Sequence, residues 1–202
     1  GQMTIAAGGA LELSGNDQKV LEDSTINNAG TIRWSGTGGL QSSTAVVINN
    51  QAGGLFEAQS DSSIQHFSFS VPWIFNNAGT FRKSGGTNVT SISRVDFNNT
   101  GKVEIQTGTL SFPTGFTNSG SFEVAAGAKL DLAGGKVALQ SGSTITGAGF
   151  YGVTGTVDVD GTIMGGEWYV NAHPDFLWVP NADARALSAA DRYIDEGSSW
   201  SM

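Results

Sequence analysis

The chain of 202 residues has no cysteine, four prolines, two histidines and a charged fraction of only 14%. Without cysteine there is no disulfide framework, no thiolate metal site and no cysteine nucleophile. Neither His66 nor His173 sits in a metal-ligand spacing such as H-E-x-x-H. Nothing in the sequence asks for a cofactor or a resident metal. Ten basic against eighteen acidic residues give a formal charge of −8, which removes the positive footprint that nucleic acid or an anionic membrane needs. No apolar run approaches the roughly 18 residues of a membrane span, and no basic-then-apolar signal segment opens the chain. Starting at Gly1 rather than Met, the chain is expected to be processed or excised from something longer.

What is abundant is glycine, 29 residues, about twice the usual share. With 39% hydrophobic residues there is enough apolar surface for a core. The expectation is a folded, turn-dense, all-β protein.

One phrase recurs five times. It reads I-N-N-A-G-T-I-R-W from Ile26, I-N-N-Q-A-G-G-L-F-E-A from Ile48, F-N-N-A-G-T-F-R-K from Phe75, F-N-N-T-G-K-V-E-I from Phe97 and F-T-N-S-G-S-F-E-V from Phe116, at spacings of 22, 27, 22 and 19. A period near 22 with glycine turns suits a β-solenoid coil of three short strands, stacked at ~4.8 Å per coil. Alternation within G-T-F-R-K, G-K-V-E-I and G-S-F-E-V points Phe81, Val103, Ile105, Phe122 and Val124 inward and Arg82, Glu104 and Glu123 outward. A longer repeat pairs I-A-A-G-G-A-L-E-L-S-G at Ile5 with V-A-A-G-A-K-L-D-L-A-G at Val124, and Ser24 with Ser143, both at an offset of 119. This places Gly1 on Gly120, midway through a coil, and makes the first strand an open edge.

Stacked coils turn aligned positions into ladders. Ile26, Ile48, Phe75, Phe97 and Phe116 form an inward apolar column, each burial contributing about 1.5–3 kcal/mol. Asn28, Asn50, Asn77, Asn99 and Asn118 form a structural amide ladder, asparagine also suiting a left-handed turn. Arg33, Glu57, Arg82, Glu104 and Glu123 form an outward charge ladder, alternating in sign over its first four members. Such pairs are worth roughly 0–1 kcal/mol each and act mainly on register. Glu104 and Glu123, about one coil apart, approach the ~5 Å carboxylate separation of a retaining glycosidase, but membership of a repeating exposed column favours a structural role. Asn88 and Asn98 satisfy the glycosylation sequon.

Near Gly166 the phrase stops, giving an expected solenoid over 1–165 and a cap or assembly tail over 166–202. The tail gathers Trp168, Tyr169, Phe176 and Trp178 around Pro174 and Pro180. Ala184, Leu187, Ala190 and Ile194 then recur at helical spacing, with Asn181 or Asp183 as N-cap and Gly197 beyond, so a short helix is expected there. The tail either caps its own last coil or reaches a neighbouring subunit, the second making a head-to-tail filament.

The phrase F-N-N-x-G-T-[FV]-x-[KV], with V-E-I-Q-T-G-T-L from Val103, resembles repeat units of large secreted bacterial surface proteins, the right-handed parallel β-helices of autotransporter passengers and filamentous adhesins. The resemblance covers roughly 1–165 and implies a bacterial, extracellular or cell-surface rod of about seven coils serving as fibre, stalk or adhesive display. The leading expectation is a structural, non-catalytic subunit that self-associates head to tail. The alternative is a polysaccharide-binding or polysaccharide-degrading β-helix, in which Trp34, Trp73 or Trp168 would stack on a glycan and Arg82, Lys83 or Arg94 would supply a base. Trp34, on the inward parity of its strand, fits that role poorly.

Overall fold

The computed structural model describes residues 1–153 in full and, beyond them, the backbone of the strands Thr156–Val159, Thr162–Met164, Glu167–Val170, Val179–Pro180 and Tyr193–Ile194. Residues 1–153 wind into seven coils of a parallel β-solenoid with three faces. The first face stacks Gln2–Ile5, Ser24–Asn28, Val46–Asn50, Trp73–Asn77, Asp96–Asn99, Gly115–Asn118 and Lys136–Leu139. The second stacks Ala10–Leu13, Thr31–Trp34, Leu55–Ala58, Thr80–Lys83, Lys102–Ile105, Ser121–Val124 and Thr144–Gly147. The third stacks Lys19–Val20, Leu40–Ser42, Ile64–His66, Val89–Ser93, Thr109–Ser111, Lys129–Leu132 and Phe150–Val153. All described strand pairs are parallel.

Strand follows from alternation: Thr31, Ile32, Arg33 and Trp34 read out, in, out, in, so one side of each short strand is buried and the other solvated. The apolar column is as expected, with Ile26, Ile48, Phe75, Phe97 and Phe116 stacked in register. Phe56 and Phe81 stack at 5.3 Å, Phe75 and Phe97 lie 5.2 Å apart, and Phe116 and Phe122 stack at 4.9 Å. Large and small residues alternate where needed: Ala58 separates Trp34 from Lys83 in one inward column of the second face.

The corner between the first and second faces comes in two lengths. After Asn28, Asn77, Asn99 and Asn118 two residues turn the chain; after Ile5, Asn50 and Leu139 there are four. The long corners close on their own backbone, as in Gly54 N–H to Gln51 O at 2.8 Å, with Gly53 at φ +83° where a side chain is disfavoured. The short corners need glycine for closeness instead: a Cβ on Gly101 would lie 2.2 Å from Gly79 O in the coil below. None of the five ladder asparagines has a positive φ, which corrects the expectation of a left-handed backbone there. Among the described residues other than glycine, that conformation belongs to Asp23 and Arg94, equivalent corners where the backbone N–H donates to Thr44 Oγ1 at 2.8 Å and Thr114 Oγ1 at 3.0 Å.

The 119-residue repeat does not respect the faces. Gln2–Ile5 pairs with Ser24–Asn28 on the first face, whereas Ser121–Val124 lies on the second. The offset therefore spans five coils and one further face. The chain opens at the start of a coil, with Ile5 in the asparagine column. The ladders also run past 165: Glu167–Val170 pairs in register with Phe150–Val153, placing Trp168 beside Tyr151 along the backbone. Most of the segment expected to be helical lies outside the described residues, as do Phe176, Trp178 and Leu187. Tyr193–Ile194, its described end, is a short parallel strand on Trp168–Tyr169, so Ile194 is not helical.

Candidate functional site

The inner ladder is continuous. Asn28 Nδ2 donates to Asn50 Oδ1 at 2.8 Å, Asn50 to Asn77 at 2.7 Å, Asn77 to Asn99 at 2.7 Å and Asn99 to Asn118 at 2.7 Å. Each also donates to a backbone carbonyl of the coil above: Leu55, Thr80, Lys102 and Ser121. At short corners the same side chain accepts inward, as in Gly120 N–H to Asn118 Oδ1 at 3.1 Å. The ladder ends where Leu139 takes the column, leaving Asn118 Nδ2 buried without a partner, as is Ser143 Oγ in the corner above it.

A second amide ladder, missed in the sequence, runs along the outside of the same face. Asn49 donates to Asn27 at 2.9 Å, Asn76 to Asn49 at 2.9 Å and Asn98 to Asn76 at 3.2 Å. The signal was the N-N doublet itself: two adjacent strand residues in register must make two ladders, one on each side. Asn98, a sequon residue, belongs to this half-buried outer row.

The charge ladder forms and is longer than expected, because Glu12 heads it. Arg33 bonds Glu12 at 2.7 Å and reaches Glu57 at 3.7 Å; Arg82 reaches Glu57 at 4.0 Å and bonds Glu104 at 2.6 Å. The break in sign at Glu104 and Glu123 is bridged by Lys102 from the neighbouring column, 2.8 and 2.7 Å away. Burial works to raise the Glu104 pKa, but hydrogen bonds from Lys102 and Arg82 outweigh it and hold the carboxyl below its ordinary value. A glycosidase acid needs the opposite shift. Hydrogen bonds to Glu104 and then Glu123 raise Lys102 against the opposing effect of burial.

Alternation in T-F-R-K also turns Lys83 inward, where it is fully buried. Its ammonium donates to Asp61 Oδ1, Gly85 O and Thr90 Oγ1 at 3.0 Å each and to Ser60 O at 3.3 Å. Burial tends to raise Asp61, but Lys83 and Asn88 outweigh it and leave its carboxyl lowered. Lys83 is thus tied within the corner.

Trp34 and Trp73 are 0% and 1% exposed, so neither offers a platform to a glycan; Trp34 Nε1 donates to Gly38 O at 2.9 Å. His66 is buried, its ring nitrogens 3.0 and 2.7 Å from Ser42 O and Val71 O. Among the described residues no three His, Asp or Glu side chains cluster to hold a metal, and no helix is long and apolar enough to cross a membrane.

A groove of about 710 Å³ lies at the corner between the third and first faces. Residues 68–72, in the connection that together with the longer corner after Asn50 accounts for the 27-residue spacing, form one wall; Asp96, Asn98 and Thr117 also line it. Arg94 stands over the Phe69 ring at 4.2 Å. Comparison with protein-family models, curated proteins and solved structures finds no significant match for the chain.

Proposed function

We propose that the chain is a structural, non-catalytic subunit of a bacterial extracellular fibre or cell-surface stalk, joined head to tail. The observation that carries this reading is the direction of its polar chemistry. Two amide rows and one ionic row all run along the axis, each side chain bonding its equivalent one coil away. Such bonding gives a stiff rod whose sides are largely self-satisfied and whose ends are adhesive. Within the described residues, Gln2–Ile5, Ala10–Leu13 and Lys19–Val20 pair on one side only, and Met3, Leu11 and Leu13 are partly exposed there. Unpaired strand edges over a partly covered apolar end favour continued stacking, and a heterologous contact that does not close builds a filament. The extracellular bacterial setting rests on the repeat resemblance.

Electron microscopy of the purified chain tests this. The expected result is rods joined end to end, lengthening with concentration and shortened by a charge such as Leu13→Glu. Single rods of seven to nine coils, roughly 35–45 Å at ~4.8 Å per coil, at every concentration would overturn it.

A further inference from the structure

Residues 67–71 read F-S-F-S-V, a perfect period-two pattern. Elsewhere in residues 1–153 that pattern marks strands, yet this segment lies in no sheet. Its apolar side chains face outward: Phe67 is 49%, Phe69 85% and Val71 37% exposed, half of the large exposed hydrophobics of the described chain. Beneath it, Trp73 Nε1 is buried without an acceptor. The segment is held from below by its Val71 carbonyl against the His66 ring. The backbone bends at residues 69–71, with Ser70 N–H donating to Ser68 Oγ at 3.1 Å, so the strip is an anchored, bent apolar loop rather than a strand.

The charges beside the strip are unspent as well. Arg33, Arg82, Lys83, Lys102 and Lys129 all sit in ion pairs. Among the described residues neither the Arg94 guanidinium nor the Asp96 carboxylate has a hydrogen-bond or ion-pair partner, and Arg94 rests on the Phe69 ring. The Arg94 backbone needs no special explanation, because Asp23 makes the same corner; what sets this corner apart is its side chains. One free cation and one free anion, two residues apart on the rim of one groove, complement the same rim turned by a half rotation.

We propose that this strip is a lateral, self-complementary contact whose partner is a second copy of the chain. Two-fold apposition about Phe69 sets Phe69 against Phe69 and brings each Arg94 toward the other copy's Asp96. Three apolar side chains a side fall well short of the ~800 Å² per partner of a standard interface. The single contact is therefore weak, and rods presenting it side by side gain by multivalency. It concerns the sides of the rod and does not depend on the head-to-tail contact.

Sedimentation velocity over a concentration series tests it, with circular dichroism to verify folding. In a Leu13→Glu background, which shortens end-to-end rods, the chain is expected to dimerise weakly, and Phe69→Ser to lose the dimer. Arg94→Glu and Asp96→Arg should each weaken association about tenfold or more, because each makes the rim single-signed. An equimolar mixture of these two variants should recover it. In the mixed pair the carboxylate introduced by Arg94→Glu faces the guanidinium introduced by Asp96→Arg, while the native Asp96 of the first copy faces the native Arg94 of the second. A monomeric Leu13→Glu chain, or association that neither charge reversal changes, overturns the proposal; either result combined with end-to-end rods of the wild-type chain in electron microscopy leaves the fibre reading standing. Binding of an acidic polysaccharide that Arg94→Glu abolishes, without self-association, assigns the groove to a glycan and likewise overturns it.

Discussion

Asn76 and Asn77 are neighbours in the chain, sit in the same strand and donate to equivalent asparagines one coil away at 2.9 and 2.7 Å, yet their ladders do not weigh equally. The inner amide is fully buried and spends a second N–H on a backbone carbonyl; the outer one is half-solvated and makes one bond along the row. Water can replace what the outer row loses. Inside, a missing partner leaves a donor or acceptor stranded, at a cost of about 1–3 kcal/mol. The same chemistry at the same spacing is a structural requirement on one side of the sheet and an accessory on the other.

The largest effect is expected from replacing Asn50, Asn77 and Asn99 together by alanine. Denaturant unfolding should show a loss of about 5 kcal/mol or more, comparable to the stability of an ordinary domain. The matching outer triple at Asn49, Asn76 and Asn98 should keep a cooperative transition. Next comes the buried ammonium of Lys83. Asp61→Ala leaves the Lys83 ammonium without its counter-charge and should lower stability by about 3 kcal/mol, whereas Lys83→Met, which removes the charge and keeps the volume, should cost less. A shift of thermal midpoint in that order checks both.

Much of this comparison was legible beforehand. Five phrases in register named the inner asparagine column, the apolar column and the charge column, because a solenoid converts sequence period directly into spatial neighbourhood. Three things were not legible. The outer row is the less regular of the two: the first position holds Asn27, Asn49, Asn76 and Asn98 but Thr117 in the fifth phrase. Lys83 reads in the sequence as a candidate base although alternation puts it inside, since burial of a lysine depends on a cage of oxygens from residues 60, 61, 85 and 90 that no local pattern announces. The 119-residue repeat matched similar strand-and-turn chemistry on different faces, because all three faces obey the same alternation and only coil counting separates them.

The ion pairs of the outer row and of the Lys83 corner should respond to pH with smaller effects. Glu104 and Asp61 have lowered folded pKa values, so their stabilising contribution is in place above the ordinary carboxylate value of about 4 and is lost as pH falls through the lowered ones. Lys102 is raised, so its contribution is in place below about pH 10.4 and is lost as pH climbs through the raised value. The thermal midpoint should be flat from about pH 5 to 9 and fall on either side. Glu104→Gln should cost about 1 kcal/mol or less at pH 7 and reduce the acid-side fall. Smaller still is Asn76→Ala alone, expected within about 0.5 kcal/mol of wild type.

The central claim, that buried amides bonded along the axis hold the coils together, is tested most directly by two double-mutant cycles measured by urea unfolding. One cycle uses Asn77→Ala with Asn99→Ala, the other Asn76→Ala with Asn98→Ala. The inner pair should couple by about 1 kcal/mol or more and the outer pair by less than about 0.5 kcal/mol. Equal couplings, or an inner coupling near zero, would contradict the account.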